Sequence, residues 1–258
     1  MKVIIALALL SAWAGAFASG APPGDGKADT LIEIKRKAEG GDAKAQFAYA
    51  EQFIGMHKYA AAEHWYRAAG VQGDTAALYA LAELYRSNHG SGTNVVKANT
   101  NNVITLHKLA AALGHTKSHF ELGMAYKDGV GIRKDLVRAY AHIKLSDSPQ
   151  KETRINQLVT EMAQEQITAA EKMVTWFKPK VFQDAFAELV FDSVKITGIF
   201  GSDDGRMAMI NGKPLDAGQK LNLNVGGLEA QVKLASISRD GVLVSYGKLE
   251  RKITPQRL

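Results

Sequence analysis

Few residues in this chain are spaced so that they could do chemistry. His115 and His119 stand four apart at the start of a predicted helix, where two imidazoles on one face can share a metal ion. No carboxylate completes the set, because Glu121 points elsewhere, and the pair reads as ordinary surface histidines. Asp203-Asp204 beside Gly205 could suggest calcium or acid catalysis, but two carboxylates at a hairpin tip are turn formers. Asp128 and Asp135 are likewise explained by the turn and cap they flank. Gly129-x-Gly131 does not cradle phosphate, since no strand precedes it and the helix after it opens with Lys134-Asp135. Ser238 and Ser245 fall in predicted strands with no histidine nearby, and no Gly-x-Ser-x-Gly occurs. The expectation is no catalytic residue, no metal ligand, no cofactor and no enzyme.

The elements that must position these side chains are repeated. Aligned on Gly41, Gly73 and Gly114, the chain shows Ala45, Ala77 and Ser118 four residues on, and Phe47, Tyr79 and Phe120 six on. Tyr49, Leu81 and Leu122 stand at offset eight, Ala50, Ala82 and Gly123 at nine, Phe53, Tyr85 and Tyr126 at twelve. Offsets 4, 8, 9 and 12 share one helical face, with small residues where a neighbouring backbone must come close. A second helix follows each first one, over about Tyr59 to Gly70, Val103 to Leu113 and Leu136 to Ser146. Trp65 to Ala69 aligns with Leu106 to Ala110, and His142 falls in the column of Trp65 and Leu106, a half-buried packing position. The second repeat carries about nine extra residues within Ser87 to Asn102, which predicts a protruding loop.

The third copy, Ser118 to Ala139, closely resembles the Sel-one-like repeat (SLR), a relative of the tetratricopeptide repeat, through Leu122-Gly123, Tyr126, Gly129-Val130-Gly131 and Lys134-Asp135. The first two copies lack the Gly-x-Gly turn and match through their helix columns. Lys151 to Trp176, with Glu165-Gln166-Ile167 and Ala169-Ala170, resembles the helix that closes such arrays. The resemblance covers about residues 40–178. It implies a partner-binding groove lined by the first helices, for which the candidates are Lys44, Phe47, Glu51, Tyr79, Glu83, Arg86, Phe120, Met124 and Lys127. The three aromatics could equally be core. Some SLR proteins are proposed hydrolases of β-lactams, but their arrays carry paired cysteines, and this chain has none.

After Pro179 the pattern turns β. Val190 to Phe200, Gly205 to Asn211, Ala230 to Ser238 and Val242 to Tyr246 read as strands, punctuated by Asn211-Gly212, Gly226-Gly227 and Asp240-Gly241. Five or six antiparallel strands are expected. The strings Ile196 to Phe200, Ala208 to Lys213, Val232 to Ser238 and Asp240-Gly241-Val242, with Gly218, resemble the periplasmic β domains of type IV pilus-assembly lipoproteins and of the type II secretion clamp protein.

Composition bounds the rest. The 258 residues are 46% hydrophobic and 8% aromatic, a globular balance. Lys2, the apolar run Val3 to Leu10 and Ala16-Phe17-Ala18 read as a secretory leader, too short and too dilute for a membrane span. Without cysteine there are no disulfides and no thiolates, and stability rests on burial. The charge of +6 is scattered, which argues against nucleic acid and fits a solvated surface or an acidic partner.

The expected fold is α+β: an α-solenoid of three antiparallel helix hairpins plus a capping helix, followed by a small antiparallel all-β domain. The expected division is a signal peptide at 1–18, a flexible lead-in at 19–30, the repeats at 31–178 and the β domain at 187–254. The expected role is a non-enzymatic scaffold of the bacterial cell envelope, periplasmic or secreted. Its partner would be another protein, an envelope or secretion component. A cell-wall or lipid-surface binder, or a cell-wall hydrolase, is the alternative.

Overall fold

Each repeat opens the same way. Gly41, Gly73 and Gly114 all adopt positive φ (92°, 87° and 92°), which ends the preceding helix without a Cβ clash. The next residue caps the following helix: Asp42 accepts from the Ala45 N–H, Asp74 from the Ala77 N–H, and His115 Nδ1 from the Ser118 N–H. A computed structural model, describing residues 26–202 and 205–255, carries this punctuation through ten helices and seven strands among those residues. The predicted leader and the Asp203-Asp204 turn lie outside the described residues.

Helix α1 (Gly26–Glu39) packs on the first hairpin, α2 (Ala43–Gly55) and α3 (Tyr59–Gly70). The second hairpin is α4 (Thr75–Leu84) with α5 (Thr100–Ala112), and the third is α6 (Thr116–Asp128) with α7 (Leu136–Lys144). The expected solenoid of three antiparallel hairpins is therefore present. The Gly129-Val130-Gly131 turn has φ of 74° and 68° at its glycines, and Asp135 accepts from the Arg138 N–H at 3.0 Å to start α7. In the small-residue columns, a Cβ on Gly123 would stand 2.6 Å from Ile143 Cγ1, and Ala50 and Ala82 are fully buried.

Four expectations for the helical part need correction. Helix α1 starts at Gly26, inside the lead-in expected at 19–30. The closing segment is two helices, α8 (Lys151–Val159) and α9 (Gln164–Trp176), because the chain turns at Thr160 and restarts where the Gln166 side chain accepts from the Ala163 N–H. Val190 closes a helix, α10 (Phe182–Asp192), rather than opening a strand. Ala185, Phe186, Val190 and Phe191 recur with helical period and are buried. The long connection of the second repeat does not protrude freely. His89 and Val96 pair as a β-bridge, Val96 is buried, and Asn94 ties the loop to the first hairpin through the His57 carbonyl and the Ala60 N–H.

Seven strands among the described residues, rather than the expected five or six, form two antiparallel sheets. One is β1 (Ile196–Phe200), β2 (Met207–Ile210) and β3 (Lys213–Asp216); the other is β4 (Lys220–Val225), β5 (Leu228–Ser238), β6 (Gly241–Tyr246) and β7 (Leu249–Ile253). The hairpin at Asn211-Gly212 has positive φ at both residues, as does the β4–β5 turn at Gly226-Gly227. Alternation in β4 and β5 buries Leu221, Leu223 and Val225 with Leu228, Ala230, Val232 and Leu234.

The β sheets are seated on the second helices of the first two repeats. The β4–β5 turn does the seating. Gly226 lies against Thr105 and Leu106 of α5, Gly227 against the Tyr85 ring, and Leu228 against Gly70 of α3. Arg67 of α3 donates to the Gly227 carbonyl. One core cluster consequently runs from the first two hairpins through α10 into the sheets, while a separate cluster joins Ile104 and Ala111 of α5 with α6, α7, α8 and α9.

Candidate functional site

The first helices line a cavity of about 440 Å³. Phe47, Glu51 and Ile54 of α2, Tyr59 and Tyr66 of α3, and Tyr79, Ala80, Glu83 and Leu84 of α4 form its walls, and His115 and Lys117 close the end toward the third repeat. Phe47, Glu51, Tyr79 and Glu83 are thus brought together as the repeat pattern implied. Phe47 does both jobs left open: it packs partly against the core, tilts over Tyr66 at 5.9 Å and lines the cavity, which Tyr79 lines as well.

Other candidates are dispersed. Arg86 and Met124 line a second concavity of about 280 Å³, with Val103, Ile104, His107 and Glu121. Phe120 faces a third hollow beside Tyr79, Lys117 and Pro149. Lys44 lies apart, with Thr30, Glu33 and Lys37 of α1. Lys127 pairs with its neighbour Asp128 at 3.5 Å.

Polar groups between paired helices organise the walls. The Tyr66 hydroxyl donates to Glu51, and burial with this carboxylate pushes its ionisation up. Arg86 holds Glu83 through two nitrogens (2.6 and 3.1 Å) and reaches Glu121 of the next repeat at 2.9 Å. Tyr79 lies between His107 and His115, with ring centroids 5.7 and 5.1 Å away. Ile54, Tyr59, Tyr66, His107 and His115 were not anticipated as lining residues. A signal for two of them was present: Glu51 and Glu83 share offset ten of the repeat, and Tyr66 and His107 share one position of the second helices.

The histidines that spacing paired do not converge. His115 caps α6. His119 is buried rather than at the surface, bonding His142 Nδ1 to Nδ1 at 2.8 Å beneath Phe177, while His142 stacks on Tyr126. Burial lowers both pKa values, to about 4 for His119 and about 3 for His142. A depressed histidine pKa means that the unfolded chain takes up protons first as pH falls. Stability is full above the ordinary value near 6.5 and drains between there and the folded values, at about 1.4 kcal/mol per pH unit for each histidine. Urea midpoints measured from pH 7 to pH 4.5 should fall, and fall less steeply in His142→Phe. Equal slopes would mean that the pair contributes nothing.

No family model matches the chain, and no curated protein does. Among solved structures, the chain is similar to a protective antigen present in uropathogenic Escherichia coli strains, described as displaying an SLR fold. Identity is 22%, the match covers 73% of this chain and 40% of that one, and the TM-score is 0.51. A Sel1 repeat protein from Oxalobacter formigenes matches at 24% identity over 50% of this chain and 98% of that one, with a TM-score of 0.45. The neighbour over most of the chain shares its fold: the helical part is an SLR-type array.

Proposed function

We propose that this chain is a non-enzymatic protein-interaction scaffold that holds an extended or helical segment of a partner in the groove along α2, α4 and α6. The observation that supports this most is the Phe47–Tyr79 cavity. It is concave and mostly apolar, and it carries Glu51, Glu83, His115 and Lys117 where a peptide's polar groups would need partners. An apolar anchor side chain of about one aromatic ring fits a space of this size.

The β sheets supply a second surface in this reading. Phe200 and Met207 stand opposite one another on β1 and β2 and are both exposed. Because the sheets are seated on the array, two partners would be held at a set separation, which raises their effective concentration. The leader-like N-terminus and the resemblance of the β region to secretion and pilus-assembly domains favour a setting in the bacterial envelope, periplasmic or secreted.

A photo-crosslinking side chain at Phe47 should capture a polypeptide in intact cells, whereas one at Lys172 on α9 should not. The double change Phe47→Ala/Tyr79→Ala should weaken that partner about a hundredfold, since clustered aromatic anchors carry most of such binding energy. Capture that is equal at both positions, or binding indifferent to the double change, would defeat the proposal.

A further inference from the structure

His107 is the least satisfied polar side chain near the groove. It is 1% exposed, and its Nε2 is buried without a hydrogen-bond partner. Its Nδ1 faces the Ser118 hydroxyl at 3.4 Å, a contact that suits the Nδ1–H tautomer and leaves a lone pair on Nε2. That lone pair looks toward Glu83 Oε1, 3.6 Å away, and the Glu121 carboxylate completes a set whose ligand atoms all lie within 4.8 Å of one another. Electron-pair donors from three helices, α4, α5 and α6, thus come together between the two concavities, with His107 and Glu121 on the wall of the second and Glu83 on the wall of the first.

We infer that Glu83, His107 and Glu121 form a site for a divalent first-row transition metal such as zinc, and that the Arg86 guanidinium stands in for the ion when none is bound. Two ligands about 2.1 Å from zinc at a tetrahedral angle lie roughly 3.4 Å apart, so the His107–Glu83 pair is already near the required spacing. Glu121 is partly exposed and closes the third side by a side-chain rotation. Arg86 Nη2 now bridges the two carboxylates at 2.6 and 2.9 Å. Its side chain is 48% exposed and can swing into solvent, trading one cation for another. Ser118 behind His107 acts as the outer partner that fixes the imidazole tautomer. One imidazole and two carboxylates leave a coordination position toward the concavity, open to water or to a partner's side chain. This site rests on the side chains themselves, so it stands or falls separately from peptide binding.

The test is equilibrium dialysis of the full chain against zinc, with cobalt(II) absorption reporting geometry and ligand type. One equivalent should bind, with a four-coordinate cobalt spectrum. Arg86→Gln should tighten binding about tenfold by removing the competing charge-assisted hydrogen bonds. Glu121→Gln should weaken it by about 10–100-fold or more, and His107→Gln further still. Since His107 is buried and its variant can misfold, the Glu121 and Arg86 variants decide the matter, each checked by circular dichroism. Absence of stoichiometric binding would overturn the inference. So would binding unchanged in both variants, which would place the ion on exposed histidines such as His57 and His64.

Discussion

Gly123→Val should unfold at a markedly lower urea midpoint, with a loss of about 3 kcal/mol, the upper end of what forced insertion into a packed core costs. Already the first added atom would meet Ile143 Cγ1 at 2.6 Å, and the Ala139 carbonyl and Ile143 nitrogen at 3.1 Å. The last two are backbone of α7, so no rotamer change relieves them. The hairpin would have to splay, and with it the cluster that holds α6 to α9 together. Gly55→Ala is the matching control: nothing lies within 4 Å of its new methyl, and its midpoint should stay or rise slightly. Equal midpoints for Gly123→Val and wild type would show that the third hairpin is looser than its geometry states.

Leu228→Ala should cost a similar amount, about 3 kcal/mol, and should also change the shape of unfolding. Leu228 is 1% exposed and sits where the β4–β5 turn meets Gly70 and the second helices. A β unit of this size buries little of its own and depends on the surface beneath it. Removing the anchoring side chain should therefore split a shared transition into two, sheets first and helices later, visible as non-coincident tryptophan fluorescence and far-ultraviolet circular dichroism. The described tryptophans, Trp65 in α3 and Trp176 in α9, both lie before the sheets, so their fluorescence follows the helical part. Coincident curves at undiminished stability would mean that the docking contributes nothing.

The repeat was legible because it is written in residue size. Glycine at the stop, alanine or glycine at offset nine and an aromatic at offset six are demanded by local backbone and by near-neighbour packing, and both are visible in a short window. The three second helices matched their expected positions within about three residues for the same reason, a margin ordinary for helix ends. What failed was non-local. Val190 and Phe191 are β-formers by type, yet their period with Phe182, Ala185 and Phe186 places them on a helix that packs against α5 and the sheets. The loop before α5 looked free because its composition is polar, but Asn94 spends its amide on a hairpin more than thirty residues earlier. The groove candidates were half collected. Phe47, Glu51, Tyr79 and Glu83 share columns and therefore a wall, whereas Lys44 turns toward α1, which no column describes. His107 escaped because its partners, Glu83 and Glu121, come from two different repeats.

The presence of two core clusters, one fused with the sheets and one not, bears on how the molecule yields under load. The first two hairpins are riveted by a turn that spans α3 and α5, so their mutual angle is stiff. The third hairpin with α8 and α9 has no such brace from the sheets, and its links to the rest run through α5, the Gly131 contact with Thr100 and Ile104, the Arg86–Glu121 ion pair and the Tyr79–His115 ring contact. Compliance is then concentrated at one joint. A guest pulling along the groove would bend the C-terminal end of the array, carrying His115 and Lys117 with it, and leave the Phe47 wall of the cavity unmoved.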